Sequence, residues 1–143
     1  MIRRFFLFCW LLFLCPFVGL AQTKVLDSRA DAAAKAAREG YYDTADGLYS
    51  DYISLFRQLG LQKNYRYSEI LAYLARRAMQ KGNTDQAISL QKEVIEVKRT
   101  ALDCNYTQWA SAISDLASFY STKGDYTHAI ETGQTALNML EKK

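Results

Sequence analysis

The stretch "LASFYSTKGDYTHAIETGQTALNML", Leu116 to Leu140, decides how the rest of the chain is read. Its skeleton is a glycine, Gly124, followed five residues later by an alanine, Ala129. The same pair occurs in "KGNTDQAI", as Gly82 and Ala87, and in "EGYYDTA", as Gly40 and Ala45. Successive glycines stand 42 residues apart. One Gly-x4-Ala carries no information, but three in register define an internal repeat. A shift of 42 also places Leu74 on Leu116, Ala75 on Ala117, Lys81 on Lys123 and Ile88 on Ile130. Leu71 falls on Ile113, Tyr67 on Trp109 and Val94 on Ala136. Apolar and turn positions recur while the others vary, so the repeat conserves geometry.

The segments around each glycine are apolar at helical spacing. "YSEILAYLARRAMQK" sets Tyr67, Ile70, Leu71, Leu74, Ala75 and Ala78 on one face. "TDQAISLQKEVIEVKR" follows with Ala87, Leu90, Val94 and Val97, flanked by Ile88 and Ile95. Asn83 or Thr84 can cap this helix, and Asp85 suits its first turn, where the dipole favours an acid. Gly82 supplies the left-handed residue that ends the preceding helix. The first copy is looser: "SRADAAAKAAREG" is built mostly from Ala, and "DTADGLYSDYISLFRQLG" brings Ala45, Leu48, Tyr49, Tyr52, Phe56 and Leu59. Six helices are expected, near 24–39, 43–59, 65–81, 84–101, 106–123 and 126–141.

These residues resemble the tetratricopeptide repeat (TPR). Its pattern has an apolar first helix with a small residue at the eighth position, a Gly-Asp/Asn-Tyr-x-x-Ala turn, and a small residue seven positions later. Ile113, Leu116, Ala117, Tyr120, Gly124, Tyr126, Ala129 and Ala136 follow it closely. Leu71, Leu74, Ala75, Ala78, Gly82, Ala87 and Val94 follow it in the second copy, and the first copy matches from Gly40 onward. The usual period is 34, so the 42-residue period resembles the longer variety found in kinesin light chains. The resemblance implies an all-α fold: a right-handed α-solenoid of three helix-turn-helix repeats, about 24–59, 65–101 and 106–141. The alanine marks a helix crossing where a larger side chain would push the pair apart, and stacked pairs share a core that no pair can form alone. Gly133 departs from the pattern, where the family often has an aromatic, and should cost about 1 kcal/mol relative to Ala inside a helix.

Residues 1–21 lie outside the repeat. Arg3 and Arg4 precede an apolar run from Phe5 to Leu14, then Pro16, with Gly19 and Ala21 before Gln22. This is the pattern of a secretory signal peptide cleaved after Ala21, leaving 22–143 as one helical domain. The run is short for a membrane span of about 20 residues, so no stable membrane insertion is expected after cleavage. Large residues, Phe8 and Leu14, precede Cys9 and Cys15, which argues against lipid attachment. The expected location is periplasmic or secreted. The leader holds two of the 18 basic residues and none of the 15 acidic ones, so the mature chain is nearly neutral and gives no support for nucleic-acid binding. It retains one cysteine, Cys104, read as an inert, partly buried thiol. No internal disulfide can form, and apolar burial must hold the fold.

No constellation for catalysis is found. His128 is the single histidine, which leaves no histidine pair, no Ser-His-Asp arrangement and no conventional zinc set. Its place before Ala129 reads as an exposed turn position. Asp43 and Asp46 suit a first helical turn better than acid catalysis. "NYT", Asn105 to Thr107, matches a glycosylation sequon but reads more simply as the cap of the fifth helix. Seven of the ten tyrosines, Tyr41, Tyr42, Tyr49, Tyr52, Tyr65, Tyr67 and Tyr73, lie in one third of the chain and are expected mostly as core or wedges. No enzyme activity, cofactor or metal is expected.

The resemblance implies a concave groove, lined by the first helix of each repeat, that receives peptides or other proteins. Carried onto this chain, the groove would show Arg38; Glu69, Tyr73, Arg76 and Gln80; and Ser111, Ser118 and Thr122. The carboxylate clamp of chaperone-binding members is absent, since Ala30, Ala34, Tyr73, Ser111 and Asp115 stand at its positions. The expected function is an exported protein–protein interaction module, acting through the groove or an exposed repeat end. Lys143 follows the sixth helix with no polar capping helix of the kind solenoids need. This raises two alternatives: the N-terminal sensor or scaffold part of a longer signalling or protease protein, and a homodimer formed through the uncapped C-terminal repeat.

Overall fold

The computed structural model describes residues 26–100 and 105–141, so the expected leader and Cys104 lie outside the described residues. All regular structure there is helical. Helix α1 covers 26–38, followed by α2 (Tyr42–Gln58), α3 (Tyr65–Gln80), α4 (Thr84–Thr100), α5 (Tyr106–Lys123) and α6 (Tyr126–Glu141). The bounds expected for α2 to α6 are met to within one residue. None of these helices is long and apolar enough to cross a membrane.

The repeat glycines act as the spacing predicts. Gly40, Gly82 and Gly124 have φ of 85°, 81° and 84°, a left-handed conformation that costs glycine least. Each closes its helix in the same way: the next residue donates its N–H five positions back, Tyr41 to Ala36, Asn83 to Ala78 and Asp125 to Tyr120, at 2.9 Å in each case. These are Schellman closures, which satisfy the last carbonyls of the helix while reversing the chain. Two asparagines open first helices. Asn64 Oδ1 accepts from the backbone N–H of Arg66 (2.8 Å) and Tyr67 (3.3 Å). Asn105 forms a reciprocal box with Gln108, as expected of a cap: its Oδ1 accepts from Gln108 N (2.8 Å) and its own N–H reaches Gln108 Oε1 (3.3 Å).

The chain divides into two compact units, 1–52 and 53–143, with the division inside α2. In the first, Leu26, Ala30 and Ala33 of α1 and Ala45, Tyr49 and Tyr52 of α2 are buried. Of the seven clustered tyrosines, Tyr49, Tyr52 and Tyr67 are buried and Tyr65 and Tyr73 half-buried, as expected of most of them, while Tyr41 and Tyr42 are exposed. They occupy the turn and the helix start.

In the second unit α4 packs on both α3 and α5, and α5 packs on α6. Ala75 and Ala78 of α3, Ala87 and Ile88 of α4, and Leu116, Phe119 and Tyr120 of α5 form one buried cluster. Ala110 and Ile113 of α5 form a second with Ala136 and Met139 of α6. Ile95 of α4 touches both. The alanines at the crossings, Ala75 and Ala87, have no exposed surface, so a longer side chain there must force the helices apart. Gly133 differs, because an added Cβ would meet only the Ala117 Cβ at 3.8 Å, an ordinary contact. Ala87→Leu is therefore expected to cost about 1–3 kcal/mol, whereas Gly133→Ala is expected to add up to about 1 kcal/mol. Urea unfolding followed by circular dichroism checks both, and equal midpoints for the two variants would contradict the reading of the crossing.

Candidate functional site

Helices α3 and α5 flank a concave cavity of about 360 Å³ whose floor is α4. Tyr65, Glu69, Ala72 and Arg76 enter it from α3, and Thr107, Gln108, Ser111, Ala112 and Asp115 from α5. Helix α4 contributes Gln91, Val94 and Lys98. These three are spaced three and four apart, so they form one stripe along the helix.

The floor is polar and its charge is already satisfied. Gln91, almost wholly buried, donates from Nε2 to the Ala112 carbonyl at 2.8 Å, which fastens α4 to the backbone of α5. The Lys98 side chain is only 7% exposed. Its ammonium sits 2.5 Å from Glu69 Oε1 and 5.0 Å from the centroid of the Tyr65 ring. A buried cation needs such partners, because desolvation alone would be prohibitive. Gln108 Nε2 donates to the Tyr65 hydroxyl at 3.3 Å and closes this end.

The other end is open in the chemical sense. Arg76 is exposed at the rim and Asp115 is half-buried, and the two interact through space without an ion-pair contact within 4.0 Å. Burial pushes the Asp115 carboxyl above its ordinary range; Arg76 and Lys98 pull it back, and nearby Glu69 adds to the rise. The cavity thus presents one exposed guanidinium and one half-buried carboxyl, neither of which makes a hydrogen bond or a close ion pair among the described residues.

Of the expected groove residues, Glu69, Arg76 and Ser111 line this cavity. Tyr73 is half-buried on α3, Gln80 accepts from Arg77 Nη1 (2.7 Å), and Thr122 donates to the Ser118 carbonyl (3.0 Å); none of them lines it. Arg38 is exposed on α1 in the other unit. The residues missed are those of the floor and of the facing helix, above all Gln91, Lys98 and Asp115. A signal for the first two existed: both stand on the face of Val94, where a solvated polar residue has no place. His128 is exposed, as expected, with Nδ1 2.7 Å from Asp125 Oδ2 and its ring stacked on Tyr120. No group of three or more His, Cys, Asp or Glu that could hold a metal occurs among the described residues.

A second polar cluster ties α2, α3 and α4 together. The Tyr67 hydroxyl donates to Glu93 Oε1 (2.5 Å) and accepts from Arg57 Nε (3.1 Å), while Arg57 Nη2 reaches Glu93 Oε2 (2.5 Å). The Phe56 ring stacks on Tyr67 at 5.8 Å. Burial, then the Glu93 carboxylate, pushes the Tyr67 hydroxyl up to about 12.

No protein-family model matches the sequence, and no curated protein matches it. Solved structures do. BtubC (BKLC) from P. vanneervenii aligns with a TM-score of 0.72 at 15% identity, over 83% of this chain and 48% of that one. The N-terminal domain of stress-induced protein-1 (STI-1) from C. elegans aligns with a TM-score of 0.66 at 16% identity, over 82% of this chain and 85% of that one. A putative kinesin light chain from Podosopora anserina with nearly identical TPR-like repeats gives a TM-score of 0.70 at 18% identity, over 82% and 56%. The chain spans about half the length of BtubC and little more of the kinesin light chain. At these identities the likeness is one of fold. The chain folds as a TPR-like repeat protein, the all-α helix-turn-helix architecture that its 42-residue period implies.

The Tyr67 cluster gives a pH-dependent expectation. A hydroxyl held neutral by the fold contributes stability in full below its ordinary value of 10, and that contribution is lost as the pH rises through about 12. Tyr67→Phe is expected to cost about 1–2 kcal/mol at neutral pH. The gap to the unmodified protein should narrow steadily between pH 10 and 12, as read by urea unfolding.

Proposed function

We propose that this chain is an exported protein–protein interaction module that seats a peptide or protein segment in the groove between α3 and α5. The observation that carries this reading is the cavity itself: a preformed concavity whose floor charges are neutralised internally while Arg76 and Asp115 remain for a ligand. Peptide amides present donors and acceptors together, and this pair of groups answers both. Rigid helices hold the pair in place, so little ordering entropy is lost on binding. The TPR-like fold supports the same reading by analogy. Export is part of the proposal and rests on the pattern of residues 1–21; N-terminal sequencing of the protein from the cell envelope or medium tests it, and a chain starting at Gln22 is the expected result.

Arg76→Ala and Asp115→Asn are expected to weaken partner binding about tenfold each, in line with the loss of one charge-assisted hydrogen bond. Both should leave the thermal unfolding midpoint nearly unchanged, since neither side chain makes a close ion pair in the free protein. Partners recovered from the native envelope, followed by titration calorimetry against the two variants, check this. Undiminished affinity in both variants would remove the groove from the binding surface.

A further inference from the structure

The cavity holds two polar layers, two helical turns apart. Glu69, Lys98 and Gln108 form one, and each has a counterpart seven residues away: Arg76 on α3, Gln91 on α4 and Asp115 on α5. The short turn at Gly82 sets α4 antiparallel to α3. The contacts Asp85–Lys123 and Gln91–Ala112 set α5 antiparallel to α4. A shift of seven therefore moves all three residues the same way along the cavity, by about 10 Å. Arg76, Gln91 and Asp115 meet at its open end.

The first layer is closed. Lys98 is paired with Glu69, and Gln108 uses both polar atoms of its side chain, Nε2 on the Tyr65 hydroxyl and Oε1 on the Asn105 N–H. The second layer is not. Gln91 is 1% exposed and commits Nε2 to the Ala112 carbonyl, yet its Oε1 makes no hydrogen bond among the described residues. The half-buried Asp115 carboxyl makes none either. Two acceptors stand inside the cavity without a donor, and an acceptor kept from water without one is costly. Arg76, the cation of this layer, is exposed at the rim.

These groups select among ligands. A peptide N–H brings one donor and leaves the carboxylate without a countercharge. An anion could reach Arg76, but an exposed pair is worth little, and Asp115 would repel it. An arginine side chain meets the whole layer. Its planar guanidinium offers two parallel donors to a carboxylate and further donors to an amide oxygen, and it is more weakly hydrated than an ammonium. Lys98 does not oppose its entry, because Glu69 balances that charge. Resting on the groove reading above, we infer that the segment taken up carries an arginine, whose guanidinium donates to the Asp115 carboxylate and to Gln91 Oε1. Arg76 then lies over the entrance, where backbone carbonyls of the same segment can accept from it.

Peptides selected from a random displayed library on the purified protein test this, with affinities read by titration calorimetry. The expected result is a shared arginine whose replacement by citrulline, its neutral isostere, weakens binding about tenfold. Against Asp115→Asn the same replacement should change affinity by no more than about twofold, since a double cycle isolates the contact between the two groups. The citrulline comparison on the unmodified protein stands even if Asp115→Asn disturbs the fold. For Gln91, the side-chain amide signal in a nitrogen-15 correlation spectrum should shift on adding the arginine peptide, and an unmoved signal would overturn its part in the contact. Peptides that lose affinity with Arg76→Ala but carry no arginine, or tolerate citrulline, would overturn the proposal and leave the groove reading standing. Peptides indifferent to both Arg76→Ala and Asp115→Asn would overturn the two together.

Discussion

A helix in the middle of a stack must hide two faces at once, and α4 carries that requirement here. One side meets α3 through Ala87, and the other meets α5 through Ile88 and Ile95. Neither contact would suffice alone, because an isolated helix pair leaves half its apolar surface in water. The double contact of α4 joins successive repeats. The residues that permit it are small. Ala75 and Ala87 bring the backbones close, and the left-handed glycines between paired helices turn the chain sharply enough for neighbouring helices to meet.

The groove follows from the same constraint. Because α4 is covered on both sides, its third face forms a floor between α3 and α5, and any polar group placed there is desolvated. Gln91 and Lys98 are so placed, and each has found a partner, the Ala112 carbonyl and the Glu69 carboxylate. Their hydrogen bonds offset burial and leave little net charge for a ligand. What remains is at the rim, where Arg76 is hydrated and Asp115 is not fully so. A ligand that completes the hydrogen bonding of Asp115 recovers part of the free energy lost to its desolvation.

The fold was legible in the sequence to a far greater degree than the site. Glycine spacing and apolar periodicity are local signals, and they located the ends of α2 to α6 to within one residue. Side-chain placement within the groove depends on how far α5 is offset along α3, which no local pattern encodes. Carrying positions over from a related fold therefore put Glu69, Arg76 and Ser111 in the cavity but also named Tyr73, Gln80, Ser118 and Thr122, which are not in it. The apolar periodicity of α4 does not by itself mark the floor of the cavity. Lys98 and Gln91 stand within that face, and a polar residue at such a position reports a buried partner.

The repeats share geometry without sharing chemistry, and the Tyr67 cluster shows why that matters. Forty-two residues beyond Arg57, Tyr67 and Glu93 stand Arg99, Trp109 and Thr135. Arg99 pairs with Glu96 on its own helix, and Thr135 donates to the Glu131 carbonyl at 2.9 Å. The hydroxyl–carboxylate–guanidinium link is lost, and the buried Trp109 Nε1 makes no hydrogen bond among the described residues. Replacing a satisfied polar network by an indole keeps the apolar volume but leaves one donor without an acceptor, a net cost. The third repeat is thus the weaker neighbour in hydrogen bonding, carries a glycine inside α6, and exposes Ile130, Leu137 and Leu140 on that helix. The second is fastened on both sides, and its α3 and α4 form one wall and the floor of the cavity whose other wall is α5.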